Sequence, residues 1–286
     1  MSVPVSSAPE SSATTSPVLH TLRFLARTCM LLPWLAWGLL AVTFVLPCIR
    51  LSVRQRMIRF WSAGLVRICG MRVHVHGTPC RSGAVMWVAN HVSWIDIFVL
   101  NQLRPAAFVA KSEIRRWPVI GWLVAGAGTL FIDRQQRQAV QKVGQDIAVR
   151  FARGEAVGLF PEGTTTLGWD VLPLHASLLE PARQYGVIVQ PVAFCFKHRG
   201  VRSSYAAFVG EESLVGNLWR IMGTTGLAVD VHYLKPMGHL TRSGRSATRQ
   251  ELGQDIRLAL QQAVCVPPAV SPESQPDSGT AGTVSG

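Results

Sequence analysis

The chain has 286 residues, 28 of them Lys or Arg against 16 Asp or Glu, giving a net charge of +12 and a pI near 10.3. That length carries one large domain with a full core plus tails, and the basic excess calls for an anionic partner, either nucleic acid or a membrane surface. The six cysteines contain no C-x-x-C pair and no clustered framework, which excludes a disulfide scaffold and points to reduced thiols on a cytosolic face.

Residues 1–19 are rich in Ser, Pro, Thr and Ala and read as a disordered tail. Between Glu10 and Asp96 there is no acidic residue, yet nine Arg occur. Inside that zone residues 28–49 carry no charge, and 31–47 is almost wholly apolar, with Trp34 and Trp37 inside it. As a helix the uncharged run would cover roughly 33 Å, enough for a bilayer core. Arg23 and Arg27 precede it; Arg50, Arg54, Arg56 and Arg59 come after it. The heavier C-terminal flank places the rest of the chain, from Arg50 onward, in the cytoplasm, at the inner membrane. No A-x-A site lies beyond the run, which argues against a signal peptide. A full span and a hairpin entering one leaflet, kinked at Pro33 or Pro47, both remain open. Over 53–68, Met57, Ile58, Trp61, Leu65 and Ile68 recur at helical spacing among Arg54, Arg56, Arg59 and Arg67. That suits a helix in the headgroup plane, or an amphipathic helix packed on the domain. Because the Arg cluster around an apolar segment, with no aromatic RNA-binding signature or helix-turn-helix pattern, the expected partner is a lipid membrane and not nucleic acid.

Further on, β-rich runs alternate with helical patterns. Strands are expected at 71–75, 84–89, 106–110, 129–132, 156–160, 187–196, 206–209 and 228–234, and helices at 94–103, 137–153, 174–184 and 246–263. The alternation predicts an α/β domain: a mixed, largely parallel sheet flanked by helices, with an N-terminal membrane-embedded helical segment. Its functional residues belong where strands end and helices begin. The expected organisation is a tail at 1–19, an anchor and basic interfacial helix at 20–68, a catalytic domain at 69–265, and a disordered Pro/Ser/Gly-rich tail at 266–286.

Two blocks carry chemistry. The strand at 84–89 runs into Asn90-His91-Val92-Ser93-Trp94-Ile95-Asp96. On a regular helix, positions five apart point about 140° away from each other. If His91 lies in the turn before a helix and Asp96 inside it, the two converge, and a carboxylate-steered imidazole is a ready general base. The second block, Phe160-Pro161-Glu162-Gly163-Thr164, ends a strand on a carboxylate and a glycine. The stretch from Glu113 to Leu123, with Arg115, Arg116, Trp117 and Trp122, suggests a surface dipping towards lipid, or else a core helix leading to Gly128. His74 and His76 share a strand face, but no carboxylate or Cys accompanies them in sequence, so no metal is expected there. No G-x-S-x-G elbow exists, and Gly126-Ala127-Gly128 lacks what a P-loop or dinucleotide loop requires.

Taken together in this order, the blocks resemble the glycerolipid acyltransferases typified by lysophosphatidic acid acyltransferase. The first family motif, N-H-x4-D, is Asn90 to Asp96. The second is similar to Gly128-Thr129-Leu130-Phe131-Ile132-Asp133-Arg134. The third, F-P-E-G-T-R, matches Phe160 to Thr164, and the fourth is similar to Val189-Gln190-Pro191-Val192. The resemblance implies that His91 takes a proton from a lipid hydroxyl, that Asp96 orients it, and that the oxygen attacks an acyl thioester directly. It implies no cofactor, with acyl-CoA or acyl carrier protein as co-substrate. It further implies acceptor-binding roles for Asn90, Lys111, Arg134, Glu162, Gly163, Thr164 and Thr165; a plain surface position for Lys111 stays open. Where the family motif carries Arg, this chain carries Thr165, and a hydroxyl cannot replace a guanidinium as a phosphate clamp. The resemblance thus gives 1-acyl-glycerol-3-phosphate, yielding phosphatidic acid, as the first expected acceptor, with the lyso-ornithine lipid, whose head group has no phosphate, as the alternative.

Overall fold

The computed structural model describes residues 16–133, 137–238 and 247–265. The expectations for the 1–15 and 266–286 tails, and for Arg134, lie outside the described residues.

Helix α1 (Pro17–Leu40) starts inside the stretch expected to be tail, with proline at its first turn, where a missing N–H costs nothing. It continues unbroken through Pro33. A π turn (Ala41–Val45) and a 3-10 turn containing Pro47 (Leu46–Cys48) then end the run. The chain turns back into α2 (Leu51–Ile68). The two helices are locked by a reciprocal pair: each of the Trp34 and Trp61 indole N–H groups donates to the other residue's carbonyl, both at 3.1 Å. Close approach is possible because Gly38 faces Trp61 and Gly64 faces Trp34.

From α2 the chain enters an eight-stranded mixed sheet: β1 (Met71–Gly77), β2 (Val85–Ala89), β3 (Ala106–Lys111), β4 (Leu130–Ile132), β5 (Ala156–Leu159), β6 (Ile188–His198), β7 (Val201–Arg202) and β8 (Leu227–Tyr233). Its spatial order is β1-β8-β6-β2-β5-β3-β4, with β7 on β6. Only β6 pairs antiparallel, with β7 and β8; the other neighbours run parallel. Between the strands lie α3 (Asp96–Asn101), α4 (Ile120–Gly126), α5 (Arg137–Ala152), α6 (Glu180–Gln184) and α7 (Leu214–Gly223), and α8 (Arg249–Val264) comes after the last of them.

Strand alternation sorts the core into two layers. Val85, Trp87 and Ala89 of β2 face a layer with Leu65 of α2, Val99 of α3 and Ile221 of α7. Met86 and Val88 face the other, with Ile147 of α5 and Ile256 of α8. This is the period-2 burial of a sheet covered on both faces.

Three expectations change. Residues 206–209 are not a strand: Phe208 donates its N–H to Val92 and accepts from Thr165, so this backbone pairs with loops and side chains and joins no ladder. The helix expected at 174–184 is a 3-10 turn (Ala176–Leu179) followed by the short α6. Helix α7 falls where no helix is expected, although Ser213 caps it by accepting from Gly216.

Among the described residues one run, Pro17–Cys48, is long and apolar enough to cross a membrane. It lies along the domain. Phe24 and His20 pack on Trp219 of α7, Arg27 donates to the Met222 and Thr224 carbonyls at 2.9 and 2.7 Å, and Val42 fills the space over Gly126 of α4. The opposite face of the run exposes Leu22, Leu25, Leu32 and Phe44.

Candidate active site

The parallel strands β2, β5, β3 and β4 are neighbours, so their carboxyl ends lie side by side. Asn90-His91 leaves β2, the Phe160–Gly163 turn leaves β5, and Lys111 ends β3. The residues after Ile132 leave β4, where the expected Arg134 falls outside the description.

His91 lies in the turn before α3, and Asp96 is the first residue of that helix. The two meet: Nδ1 of His91 is 2.8 Å from Oδ2 of Asp96. The same carboxylate oxygen accepts the backbone N–H groups of Val92 at 2.8 Å and Ser93 at 3.0 Å. Asp96 is fully buried, whereas the His91 side chain keeps 20% exposure. Helix α3 has no side-chain N-cap, since Ile95 occupies the cap position; Asp96 instead turns back to the N–H groups of the turn ahead of the helix. The imidazole is clamped in plane by Phe160, stacked at 4.1 Å and 16°. Its own carbonyl accepts the Thr166 N–H at 2.8 Å. With Nδ1 held by Asp96, Nε2 is the nitrogen left for a reacting group.

Glu162 is buried, and its two oxygens are divided between two loops. Oε1 accepts the His91 N–H at 2.7 Å, and Oε2 accepts the Leu172 N–H at 2.9 Å. Burial pushes its carboxyl up, against the pull of those two hydrogen bonds. Asn90 is fully buried as well. Its amide donates to the Phe194 carbonyl at 3.2 Å and accepts the Phe194 N–H at 2.7 Å, tying the end of β2 to β6. Neither side chain lines the cavity beside His91. The structure thus gives both residues to the scaffold that holds the His91 turn, in place of the expected acceptor contact.

Gly163, Thr164, Thr165 and Lys111 do line that cavity, together with His91. Gly163 has φ 79°, a left-handed conformation that only glycine adopts cheaply. Thr165 donates its hydroxyl to the Phe208 carbonyl, so its polar atom is spent on the loop that closes the cavity. The cavity measures about 580 Å³ and is mostly apolar. Its walls come from Leu31 and Leu35 of α1, Trp61 and Leu65 of α2, Ile97 and Phe98 of α3, Trp117, and Leu214 and Leu218 of α7. The candidate base therefore opens into a greasy chamber built partly by the N-terminal helices.

Sequence reading missed the residues that brace this chamber. Trp94 donates to Asn217 at 2.9 Å; Asn217 donates to Glu212 and to the Ala207 carbonyl; Arg220 pairs with Glu212 at 2.8 Å. Their only signal was α7's helical spacing of Leu214, Leu218 and Ile221.

A fold that brings a His–Asp pair and the Phe160–Thr164 block together at the carboxyl ends of neighbouring parallel strands defines a class of protein, and comparison with known proteins bears this out. The family model described as Acyltransferase matches residues 72–195. Over 245 residues the chain is 38% identical to the lyso-ornithine lipid O-acyltransferase of Pseudomonas aeruginosa, covering 84% of this chain and 94% of that protein. It is 33% identical over 186 residues to the 1-acyl-sn-glycerol-3-phosphate acyltransferase of Neisseria gonorrhoeae, covering 64% and 71%. The chain belongs to the acyltransferase family. Its fold matches the crystal structure of the 1-acyl-sn-glycerophosphate acyltransferase of Thermotoga maritima, with a TM-score of 0.61 at 20% identity, covering 86% of this chain and 95% of that one.

Proposed function

We propose that this acyltransferase moves an acyl chain from an acyl thioester onto a free hydroxyl of a lysolipid, and that the acceptor is the lyso-ornithine lipid. The observation that carries the reaction is the His91–Asp96 pair opening into an apolar cavity. His91 Nε2 accepts the hydroxyl proton as the oxygen attacks the thioester carbonyl. The C–O bond forms, the C–S bond then breaks, and the imidazolium returns its proton to the departing thiolate. The products are an ester and a free thiol, with no acyl-enzyme. Asp96 holds the imidazole in the tautomer that keeps Nε2 unprotonated and stabilises the transient imidazolium. The donor is acyl-CoA or acyl carrier protein, and no further cofactor enters the step.

Two observations favour the lyso-ornithine acceptor. Thr165 stands at the position of the family's phosphate-clamping Arg and has committed its hydroxyl to Phe208. The Pseudomonas relative that covers most of both chains bears that activity in its name. The second reading, 1-acyl-glycerol-3-phosphate, is supported by Lys111 at the cavity wall and by the Neisseria relative. The membrane is the natural source of either lipid. The arrangement of α1 along the domain favours a segment sunk into one leaflet of the inner membrane over a free-standing span, with the domain on the cytoplasmic side where the Arg excess lies.

The deciding experiment incubates membranes containing the protein with labelled acyl thioester and a panel of lysolipids, and identifies products by mass spectrometry. Ornithine lipid formed from the lyso-ornithine substrate, and absent with His91→Ala, supports the proposal. Phosphatidic acid as the sole product transfers the assignment to the second acceptor. No transfer to any lysolipid overturns the reaction.

A further inference from the structure

At the β1 edge of the sheet, away from the strand ends that carry His91 and Glu162, strand pairing collects a group of side chains that the acyl-transfer reaction does not use. In the parallel register His74 of β1 stands beside Asp230 of β8, and His76 beside His232. Alternation puts all four on one face, since Val229 and Val231 point into the opposite core layer. The sequence alone predicts no metal here, because no carboxylate neighbours His74 and His76. The carboxylate arrives from a strand more than 150 residues away, as His74 Nδ1 lies 3.1 Å from Asp230 Oδ1.

We propose that His76, Asp230 and His232 form a binding site for a divalent transition metal ion, of the zinc, nickel or copper kind, that clips the edge strand β1 to β8. One ligand atom from each of the three lies within 4.8 Å of the others. His76 Nε2 is 3.5 Å from Asp230 Oδ1, and the His76 and His232 rings are stacked 4.5 Å apart at 14°. A tetrahedral ion with bonds of about 2.0–2.2 Å holds its ligands roughly 3.3 Å from one another, so small side-chain rotations close the set. Two imidazoles with one carboxylate is a donor set suited to borderline ions, and it leaves a coordination position for water.

The surroundings fit this use. Lys197 pairs with the other Asp230 oxygen, Oδ2, at 2.5 Å, which orients the carboxylate and leaves Oδ1 towards the histidines. His74 hydrogen-bonds the same carboxylate from β1. The His76 side chain is 48% exposed, so an ion can enter from solvent. The ion pair with Lys197 lowers the charge of the site, so moderate affinity is expected.

The test uses untagged full-length protein in detergent, stripped with chelator and titrated with Co²⁺ and then Zn²⁺. About one equivalent of Co²⁺ should give the visible absorption bands of a low-coordinate site, and Zn²⁺ should abolish them. His76→Ala and His232→Ala should each weaken binding by about tenfold or more, while His91→Ala should leave it unchanged. Zn²⁺ should raise the Tm of the wild type and not that of His76→Ala. His76→Ala sits at an exposed edge position and keeps the test valid if His232→Ala does not fold. No saturable binding, or binding equal in wild type and His76→Ala, overturns the proposal. Neither result bears on acyl transfer, which is measured separately.

Discussion

Asp96 performs two tasks with one oxygen: it steers His91, and it caps the turn that brings His91 to it. His91→Ala removes the base and should lower kcat by about 10²–10⁴ with the protein still folded and membrane-bound. Asp96→Asn leaves a base but loses the charge that steers it. Kinetics and thermal unfolding of that variant should show a fall in kcat no larger than that of His91→Ala, together with a lower Tm. Glu162 offers a sharper contrast. If its carboxylate bound the acceptor, Glu162→Gln would raise the acceptor KM. Because both oxygens hold backbone N–H groups, and an amide offers only one acceptor oxygen, we expect a loss of about 1–3 kcal/mol in stability and a fall in kcat at nearly constant KM. Thr165→Arg places a guanidinium at the cavity wall. A charge-assisted bond to phosphate is worth about 1.5–3 kcal/mol, so relative kcat/KM should move towards phosphate-bearing lysolipids by roughly tenfold or more. Unchanged acceptor preference in a lysolipid competition assay would show that position 165 does not meet the head group.

Elements here are held by close approach as much as by apolar area. At Gly64 a Cβ would collide with the Trp34 ring, and at Gly38 with Trp61. Gly64→Leu should therefore pry α1 from α2, break the reciprocal indole bonds and open the cavity wall formed by Leu31, Leu35, Trp61 and Leu65. Overpacking of this kind costs about 1–3 kcal/mol. Limited proteolysis near residue 50 should accelerate, and activity should fall although no site residue is altered. Native-like protection would mean that the Trp34 ring swings away without cost. The same scale explains the segment at 206–209: its residues favour strand, but their backbone groups are taken by Val92, Thr165, Asn217 and Arg220, so it joins no sheet and places Phe208 in the cavity wall.

Across the whole molecule, the N-terminal run is a wall of the enzyme as well as its apolar outer face. It packs on α2, α4 and α7, and Arg27 bonds the Met222 and Thr224 carbonyls at the end of α7. Deleting residues 1–50 should therefore yield an aggregating, inactive fragment, judged by sedimentation and acyltransfer assay. A soluble 51–286 fragment with full turnover would show that the run is a detachable anchor. The intact protein should resist extraction by salt and carbonate and require detergent, because Leu22, Leu25, Leu32, Phe44 and Phe60 all lie on its exposed surface.

The sequence by itself determined what is local. Period-2 and period-3.6 patterns placed most strands and the long helices, and the uncharged run marked the apolar segment, because burial on a strand or helix face is written in neighbouring residues. It also put His91 and Asp96 within reach of each other, on the condition that a turn separates them, and the structure supplies that turn. Two acceptors remained open, because head-group choice depends on which way Thr165 and Lys111 face. Only the tertiary structure decided that Asn90 and Glu162 serve the scaffold, because their partners Phe194 and His91 lie 104 and 71 residues away along the chain and offer backbone groups that need a hydrogen bond. It likewise decided that α1 lines the cavity, and that Asp230 and His232 stand beside His74 and His76. Strand order and register are set by the packing of the whole sheet, and no residue on β1 announces which strand will lie next to it.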